Sequence, residues 1–331
     1  MSTLAATRAR IPRLHPLAGF VLRRLAVGVL LLALVSVLVF GATQVLPGDA
    51  ASAILGRSAT VEQKEIYRKE LGLDRPLPAQ YGSWISGVLQ GDLGKSLASR
   101  VPVTTFISER IGKSLVLALA TLIVLIPVSL ALGVWAGIRR NRVADHVISG
   151  VSLGFIALPE FVTGTLLIAF IAVSLKLLPP TSIIETGASP LTSPKLLVLP
   201  VLTLCITAAA YIIRMVRAGI VDTMTSDYVH MARLNGVPER RVVARHALRN
   251  ALAPTVQVLA LTVQYLIGGI VIVETVFAYP GLGQGLVQAV TARDIPTVQG
   301  VAMLLAAIYI VINIVADLIV VLLIPKLRTS Q

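Results

Sequence analysis

The sequence is poor in the residue types that mark water-soluble and secreted proteins. Only 14% of its 331 residues are charged and 5% are aromatic, and it has a single cysteine. Because a soluble domain of this length carries about a quarter charged residues, the shortage argues against a water-soluble fold. The lone cysteine, Cys205, lies in an apolar run and excludes an intrachain disulfide, so stability has to come from helix packing.

The sequence contains six long apolar runs that carry no charge or a single one. Each run reaches the roughly 18–20 residues that a helix needs to cross the hydrocarbon of a bilayer. The runs cover residues 25–48, 114–138, 147–175 (with one charge, Glu160), 196–213, 251–273 and 295–316. Helices satisfy their own backbone groups in lipid, and the runs lack the alternation of a transmembrane barrel. We therefore predict an all-α integral membrane protein with about six transmembrane helices.

The basic residues lie in alternate loops, and their distribution predicts how the chain is oriented. With six helices, 17 of the 29 Lys and Arg residues fall on one side. They are Arg8, Arg10, Arg13, Arg23, Arg24, Arg139, Arg140, Arg142, Arg214, Arg217, Arg233, Arg240, Arg241, Arg245, Arg249, Lys326 and Arg328. The positive-inside rule assigns this side, with both termini, to the cytoplasm of a cell (inner or plasma) membrane. The net charge of +13 then reflects orientation and does not indicate a nucleic-acid partner.

The predicted spans divide the chain into three parts. Residues 1–45 form a tail and an uncleaved first helix, because the apolar run is too long for a secretory signal. Residues 46–112 form a long loop on the outer side, with helices expected near 61–71 and 81–89. Residues 113–331 form the core, which includes a cytoplasmic loop at 217–252. Pro127 and Pro159 interrupt the second and third spans, either bending them around a pathway or accommodating their packing.

The cytoplasmic loop has a helical pattern of its own. Val221, Met224, Tyr228 and Met231 recur at helical spacing and predict one apolar stripe, which Gly236 ends. Such a helix either presents Tyr228 and Met231 to a groove on a partner protein or lies on the membrane surface. The residues alone leave both interpretations open.

A second helix is predicted directly after this break. Pro238 suits the first turn of a helix, and Glu239 beside it suits the positive end of the helix dipole. Arg241, Arg245 and Arg249 follow at intervals of four and are expected to share one face. The loop is therefore predicted to be a helix–turn–helix between two membrane spans.

Two stretches of this loop resemble a known family. They are Asp227-Tyr228-Val229-His230-Met231-Ala232-Arg233-Leu234-Asn235-Gly236 and His246-Ala247-Leu248-Arg249-Asn250-Ala251-Leu252-Ala253-Pro254. They resemble the coupling loop of ABC importer permeases, most closely the first permease subunit of the dipeptide/oligopeptide/nickel family. Further segments outside the loop also resemble this permease family: 71–77, 80–81, 91–96, 273–277, 280–283, 292–296 and 298–300. Of the general Glu-Ala-Ala pattern only Ala232 and Gly236 remain, and residues 324–326 depart from the family's Asp-Pro-Arg.

The resemblance implies a type I ABC importer permease fold and a set of partners. This chain would pair with a second permease, bind two ATP-binding subunits and receive substrate from an extracytoplasmic binding protein. ATP and Mg would be bound by the ATP-binding subunits, and this chain would bind no cofactor itself. The residues implied to couple it to the ATPase are Asp227, Tyr228, Met231, Ala232, Arg233, Gly236, Arg241 and Arg245. Substrates within such a family include dipeptides and oligopeptides, nickel complexes, glutathione and haem.

Three acidic residues lie in or near the apolar runs. Glu160, Glu274 and Asp317 are candidates for the translocation pathway, because ionisable groups in lipid usually face the bundle interior or water. The alternative for all three is a structural contact between helices, which we favour for Asp317. Asn313 is four residues before Asp317 and is expected to share its face.

The sequence offers little support for an enzyme. The stretch 91–96 lacks the glycine spacing of a phosphate-binding loop, so we expect no ATPase site in this chain. The four histidines show no metal-ligand spacing, and no catalytic constellation is apparent. A stand-alone secondary transporter or channel is the remaining alternative, and such proteins often show internal repeats that this sequence lacks.

Overall fold

The computed structural model describes residues 16–45, 60, 62–63, 65–66, 74–185, 187–243 and 248–323. Within these ranges the chain is helical and has no strand. The helices are α1 (Pro16–Val45), α2 (Leu77–Leu89), α3 (Val103–Ile138), α4 (Val143–Ile156), α5 (Glu160–Leu167), α6 (Lys195–Met224), α7 (Asp227–Leu234), α8 (Glu239–Arg241), α9 (Leu248–Val276), α10 (Leu282–Thr291) and α11 (Ile295–Leu323). A π-helical turn, Ile168–Ser174, continues α5, and a short 3-10 turn covers Pro190–Thr192.

Five helices are long and apolar enough to cross a membrane: α1, α3, α6, α9 and α11. A sixth span is present if α4 and α5 with its π turn cross the membrane together, with a bend of 110° between them. The all-α prediction with about six spans is therefore confirmed. The short helix expected near 81–89 is present as α2. Most of the one expected at 61–71 lies outside the described residues.

The third span was predicted as one bent helix, and this is wrong. Helix α4 ends at Ile156, and α5 starts at Glu160 after Pro159, whose φ of −59° and ψ of 149° are not helical. Proline lacks the amide hydrogen that would continue the ladder, and it disfavours helical geometry in the residue before it. Glu160 is thus the first residue of a new arm and does not lie midway along a continuous helix. Pro127, in contrast, stays inside α3.

Helix α6 is the centre of the bundle and packs against α3 and α9. Two glycines of α3 allow the close approach, because a Cβ on Gly133 or Gly137 would lie 2.7 Å from the Cβ of Val216 or Ile220. Small residues four apart are a common way for membrane helices to pack backbone against backbone. The backbones of α3 and α6 are therefore in close contact at these two positions.

Helix α1 packs along α11, and α2 joins the far end of α1 through polar and aromatic contacts. Tyr81 donates to or accepts from Ser36 at 2.7 Å, and its ring meets that of Phe40 edge-on at 5.5 Å. The side-chain amide of Gln299 on α11 donates to the hydroxyl of Thr43 at 2.8 Å. These contacts lie near the end of α1 and the start of α11.

A buried carboxylate fixes the loop before α3. Asp294 accepts hydrogen bonds from the hydroxyl of Ser96, from the backbone N–H of Leu97 at 2.9 Å and from the hydroxyl of Thr297 at 2.7 Å. It thereby ties residues 91–102 to the start of α11. We call this the α10 end of the bundle and the opposite one the α7 end.

Candidate functional site

The central helix α6 leads directly into a short separate helix, α7. Between them Ser226 is extended (φ −77°, ψ 150°) and its hydroxyl donates to the carbonyl of Thr223 at 2.5 Å. The prediction of one stripe from Val221 to Met231 is therefore wrong, because only Tyr228 and Met231 lie on α7. The serine hydroxyl bonds back to the carbonyl three residues earlier and does not cap α7, and such back-bonding is unfavourable inside a helix.

Helix α7 has one buried face and one exposed face. Val229 is fully buried, whereas Tyr228 and Met231 are 44% and 55% exposed. Residues three apart are neighbours on a helix surface, so the tyrosine and the methionine form a single apolar patch that points away from the bundle. Such a patch is suited to fill a pocket on another protein.

Gly236 ends α7 with the geometry that a helix C-terminus prefers. Its φ is +74°, and the backbone N–H groups of Gly236 and Val237 donate to the carbonyls of Arg233 and Ala232 at 3.0 and 3.1 Å. This pair of bonds satisfies carbonyls that a helix end would otherwise leave open. A Cβ on Gly236 would meet no atom within 4 Å, so the requirement for glycine here comes from the backbone angle.

The turn after α7 is held by an ion pair. Arg233 donates from Nη2 to Oε1 of Glu239 at 2.7 Å and from Nε to Oε2 at 3.1 Å. The hydrogen bonds to Arg233 lower the pKa of the Glu239 carboxyl, and the same contact raises the pKa of Arg233. Arg233, predicted as a coupling residue, therefore shapes the loop, and Pro238 stands one residue before α8. Arg245 lies outside the described residues, so the shared face of Arg241, Arg245 and Arg249 stays a prediction.

A buried ion pair at the α7 end was missed by the sequence reasoning. Asp145 on α4 accepts from Nε and Nη2 of Arg217 on α6 at 2.5 and 2.7 Å. It also accepts from the backbone of Asn141 at 3.0 Å and from Ser149 at 3.3 Å. One signal was available, because Asp145 is the only acidic residue between Glu109 and Glu160. The pair fixes α4 to α6 seven residues before α6 ends.

Glu160 forms a polar cluster with two tyrosines. Its side chain is 8% exposed and accepts a hydrogen bond from the hydroxyl of Tyr265 on α9. Gly269 on α9 lies beside the carboxylate, and a Cβ there would stand at an ordinary contact distance of 3.6 Å from Oε1. The rings of Tyr265 and Tyr211 are about half exposed on the same region. A buried carboxylate therefore lies against one half-exposed tyrosine, Tyr265, which in turn interacts with a second, Tyr211.

Glu274 caps a helix at the α10 end. Its carboxylate is fully buried and accepts from the hydroxyl of Ser114 at 2.5 Å and from the N–H groups of Gly283 and Gln284 at 2.7 and 3.2 Å. The first N–H groups of a helix have no internal partner, and a carboxylate there also complements the helix dipole. Glu274 therefore joins α9 and α3 to the start of α10.

Asp317 pairs with the first helix. Its Oδ2 lies 3.1 Å from Nη2 of Arg24 on α1. Asn313, four residues earlier, donates to the carbonyl of Tyr309 at 3.0 Å. The structure thus does not bring the three predicted pathway carboxylates together: Asp317 lies toward the α7 end, Glu274 lies at the α10 end, and Glu160 lies where the two arms of the broken span meet.

Comparison with known proteins agrees with this architecture. The family described as binding-protein-dependent transport system inner membrane component matches residues 129–329. The family for the N-terminal part of such membrane components matches residues 17–118. Together the two matches cover most of the chain.

Individual relatives are similar along almost their whole length. The glutathione transport system permease protein GsiC of Escherichia coli is 38% identical over 94% of this chain and 99% of its own. A probable peptide ABC transporter permease protein of Sinorhizobium fredii is 34% identical over 93% and 99%. A putative peptide permease protein of Brucella ovis is 36% identical over 94% and 99%. The chain belongs to the family of binding-protein-dependent transport system inner membrane components, and it is a multi-pass inner-membrane permease subunit of an ABC importer that works with further subunits.

Proposed function

We propose that this chain forms half of the translocation pathway for peptides or a related small peptide-like ligand. Support comes from the relatives, whose names specify peptides or glutathione. The other half is a second, similar permease, and an extracytoplasmic binding protein delivers the substrate. Nickel complexes and haem remain the alternative cargo for the same machinery.

The observation that carries the proposal is the exposed apolar face of α7. Two ATP-binding subunits bind the permease pair there and supply ATP and Mg, while this chain contributes no ATPase site. The face of Tyr228 and Met231 enters a groove on the ATP-binding subunit, and Asp227, Ala232 and Arg233 flank it. Because the ATP-binding subunits are cytoplasmic, binding at α7 puts α7 and both termini on the cytoplasmic side of the membrane.

Movement at α7 reaches the membrane through fixed contacts. Helix α7 follows α6 after a two-residue turn, and the pair of Asp145 and Arg217 fixes α6 to α4. Nucleotide binds the two states of the ATP-binding subunits with different affinities, and this difference drives the change between inward-open and outward-open forms. Because α6 packs closely on α3 at Gly133 and Gly137, both helices tilt together.

Glu160 is the pathway residue that the geometry favours among the three predicted. A carboxylate with aromatic neighbours suits the ammonium group of a peptide, which carboxylates and ring faces both attract. Glu274 acts at the outer gate by holding the start of α10. For Asp317 the pairing with Arg24 favours a structural role between α1 and α11.

The test is gentle purification of the tagged chain from its native membrane, followed by identification of what accompanies it and by uptake assays in vesicles. We expect a second permease, two ATP-binding subunits and uptake that needs ATP and the binding protein. A chain that is recovered alone and transports without ATP would overturn the proposal in favour of a secondary transporter. Competition between labelled peptides, glutathione, haem and nickel complexes then identifies the cargo.

A further inference from the structure

A cavity of about 400 Å³ lies between α3, α4 and α6. Its volume falls in the range of about 300–1,000 Å³ that small-molecule sites occupy. The wall is almost wholly apolar and includes Val128, Leu132, Val151, Phe155, Ile206 and Ala209. Only hydrocarbon suits such a lining, because a polar ligand would lose its hydrogen bonds to water without replacement.

The cavity opens to the side of the bundle, where a membrane protein meets lipid. Val128, Val147 and Val151 at its rim are about half exposed. Ser129 lines the cavity from α3, and its buried hydroxyl has no hydrogen-bond partner, the sole such case among the described residues. Within the described residues the cavity is thus lined by apolar side chains and a few hydroxyl and thiol groups, with half-exposed valines at its rim.

Three arginines stand at the end of this cavity nearest α7. Arg139, Arg140 and Arg142 form the turn between α3 and α4, and all three are exposed. Within the described ranges none has an acidic partner, because both oxygens of nearby Asp145 are taken by Arg217. Asp145, the acidic residue in the first turn of α4, is committed to Arg217 and to the backbone N–H of Asn141, so the three arginines remain an exposed cluster of positive charge.

The spacing matches a single amphiphilic molecule. Leu132 lies six residues before the end of α3, and Val147 lies four residues after the start of α4. At about 1.5 Å per residue, the turn is within roughly 10 Å of the cavity along both helices. A phospholipid places its charged phosphate and the upper part of an acyl chain across such a distance.

We propose that the cavity binds one acyl chain of an anionic phospholipid whose phosphate lies against Arg139, Arg140 and Arg142. A free phosphate would need the arginines but not the cavity, and a zwitterionic lipid would gain little from an uncompensated basic turn. Basic pockets between membrane helices bind anionic headgroups in this way. The bound lipid would join α3, α4 and α6 beside the pair of Asp145 and Arg217, at the end that carries α7. The proposal does not depend on the transported substrate.

The test uses the complete importer in lipid discs and two photoreactive probes. One is phosphatidylglycerol and the other phosphatidylcholine, each with a diazirine in one acyl chain. We expect the phosphatidylglycerol probe to label residues 124–132, 147–155 and 202–213, and the phosphatidylcholine probe to label them weakly. The triple variant R139Q/R140Q/R142Q should lower this labelling about tenfold or more, since each basic residue near a membrane surface adds to the attraction.

Two further variants separate the effect of the arginine turn from that of overall charge and from that of the cavity. R100Q/K176Q/K195Q removes three exposed basic residues outside this turn and should leave the labelling unchanged. Ala209→Phe fills the cavity with the arginines intact and should remove the labelling of residues 124–132. Equal labelling by both probes, labelling spread evenly around the bundle, or labelling that survives both the triple variant and Ala209→Phe would overturn the proposal. So would photo-crosslinking of cavity residues to the second permease, which would make a protein the occupant.

Discussion

Arg217 on α6 donates two hydrogen bonds, of 2.5 and 2.7 Å, to the carboxylate of Asp145 on α4. This ion pair joins α4 to α6, the helix that leads into α7. Removal of one partner leaves a charge in a partly buried site. Because Arg217 keeps some exposure to solvent, we expect Asp145→Asn to destabilise the protein by about 3 kcal/mol, the low end for a broken buried pair. Thermal unfolding of the purified complex measures this loss.

The double variant D145N/R217Q provides the control for this first prediction. It should recover part of the loss, because no unpaired charge remains. Lys195→Gln, at the other end of α6, should be neutral. Additive losses in the double variant would show that the two side chains do not act as a pair.

Gly236 is expected to be essential for coupling, because its φ of +74° suits glycine. Gly236→Val should cost about 1–3 kcal/mol locally and misplace the end of α7, so that the complex hydrolyses ATP without transport. Gly236→Asn should retain most uptake, since asparagine tolerates this conformation better. The measurement compares the rate of ATP hydrolysis with the rate of uptake in proteoliposomes. Normal ATP-driven uptake by the valine variant would refute a role of Gly236 in coupling.

Glu160 is expected to affect transport more than stability. Glu160→Gln keeps the side-chain shape and the bond from Tyr265 but removes the charge, so the rate of uptake of a free peptide should fall. An N-acetylated peptide, which lacks the ammonium group, should be transported by both forms at similar rates. Equal uptake of the free peptide by the variant and the parent would remove Glu160 from the pathway.

Gly281 should be intolerant of a side chain because a Cβ there would collide with the carboxylate of Glu274. Gly281→Ala would displace the group that caps α10 and leave its N–H groups unpaired. We expect a loss of about 1–3 kcal/mol, the cost of such unsatisfied groups. Gly268→Ala on α9 is the matched control, since its Cβ meets no atom within 4 Å. Similar melting temperatures for both variants would contradict this account.

The class and the spans followed from the sequence because uncharged runs have few alternatives in a membrane. Local breaks were harder to predict. Pro159 was predicted to disturb the third span, but the sequence does not show whether neighbouring helices stabilise a kinked helix or two separate ones. The predicted stripe is split at Ser226, whose hydroxyl bonds back to the carbonyl of Thr223, and residue spacing alone does not reveal such a local bond.

The site was predictable where it is local in sequence and not where it depends on packing. Gly236 and the exposed pair of Tyr228 and Met231 followed from short-range pattern. The bond between Asp145 and Arg217 joins residues 72 positions apart and needs the helices to be placed first. Glu274 was likewise noted as a charge in an apolar run, yet its hydrogen-bond partners come from two other helices, α3 and α10.

The central claim is that α7 couples ATP hydrolysis to transport through Tyr228 and Met231. The most direct measurement is ATP-driven uptake by the complete complex carrying Y228A/M231A, beside His230→Ala as an exposed control on α7. Residues that anchor an interface in a partner's pocket cost about 2 kcal/mol or more when truncated, so the double variant should lose its ATP-binding subunits on purification and its uptake. Full recovery of those subunits together with unchanged uptake would contradict the account.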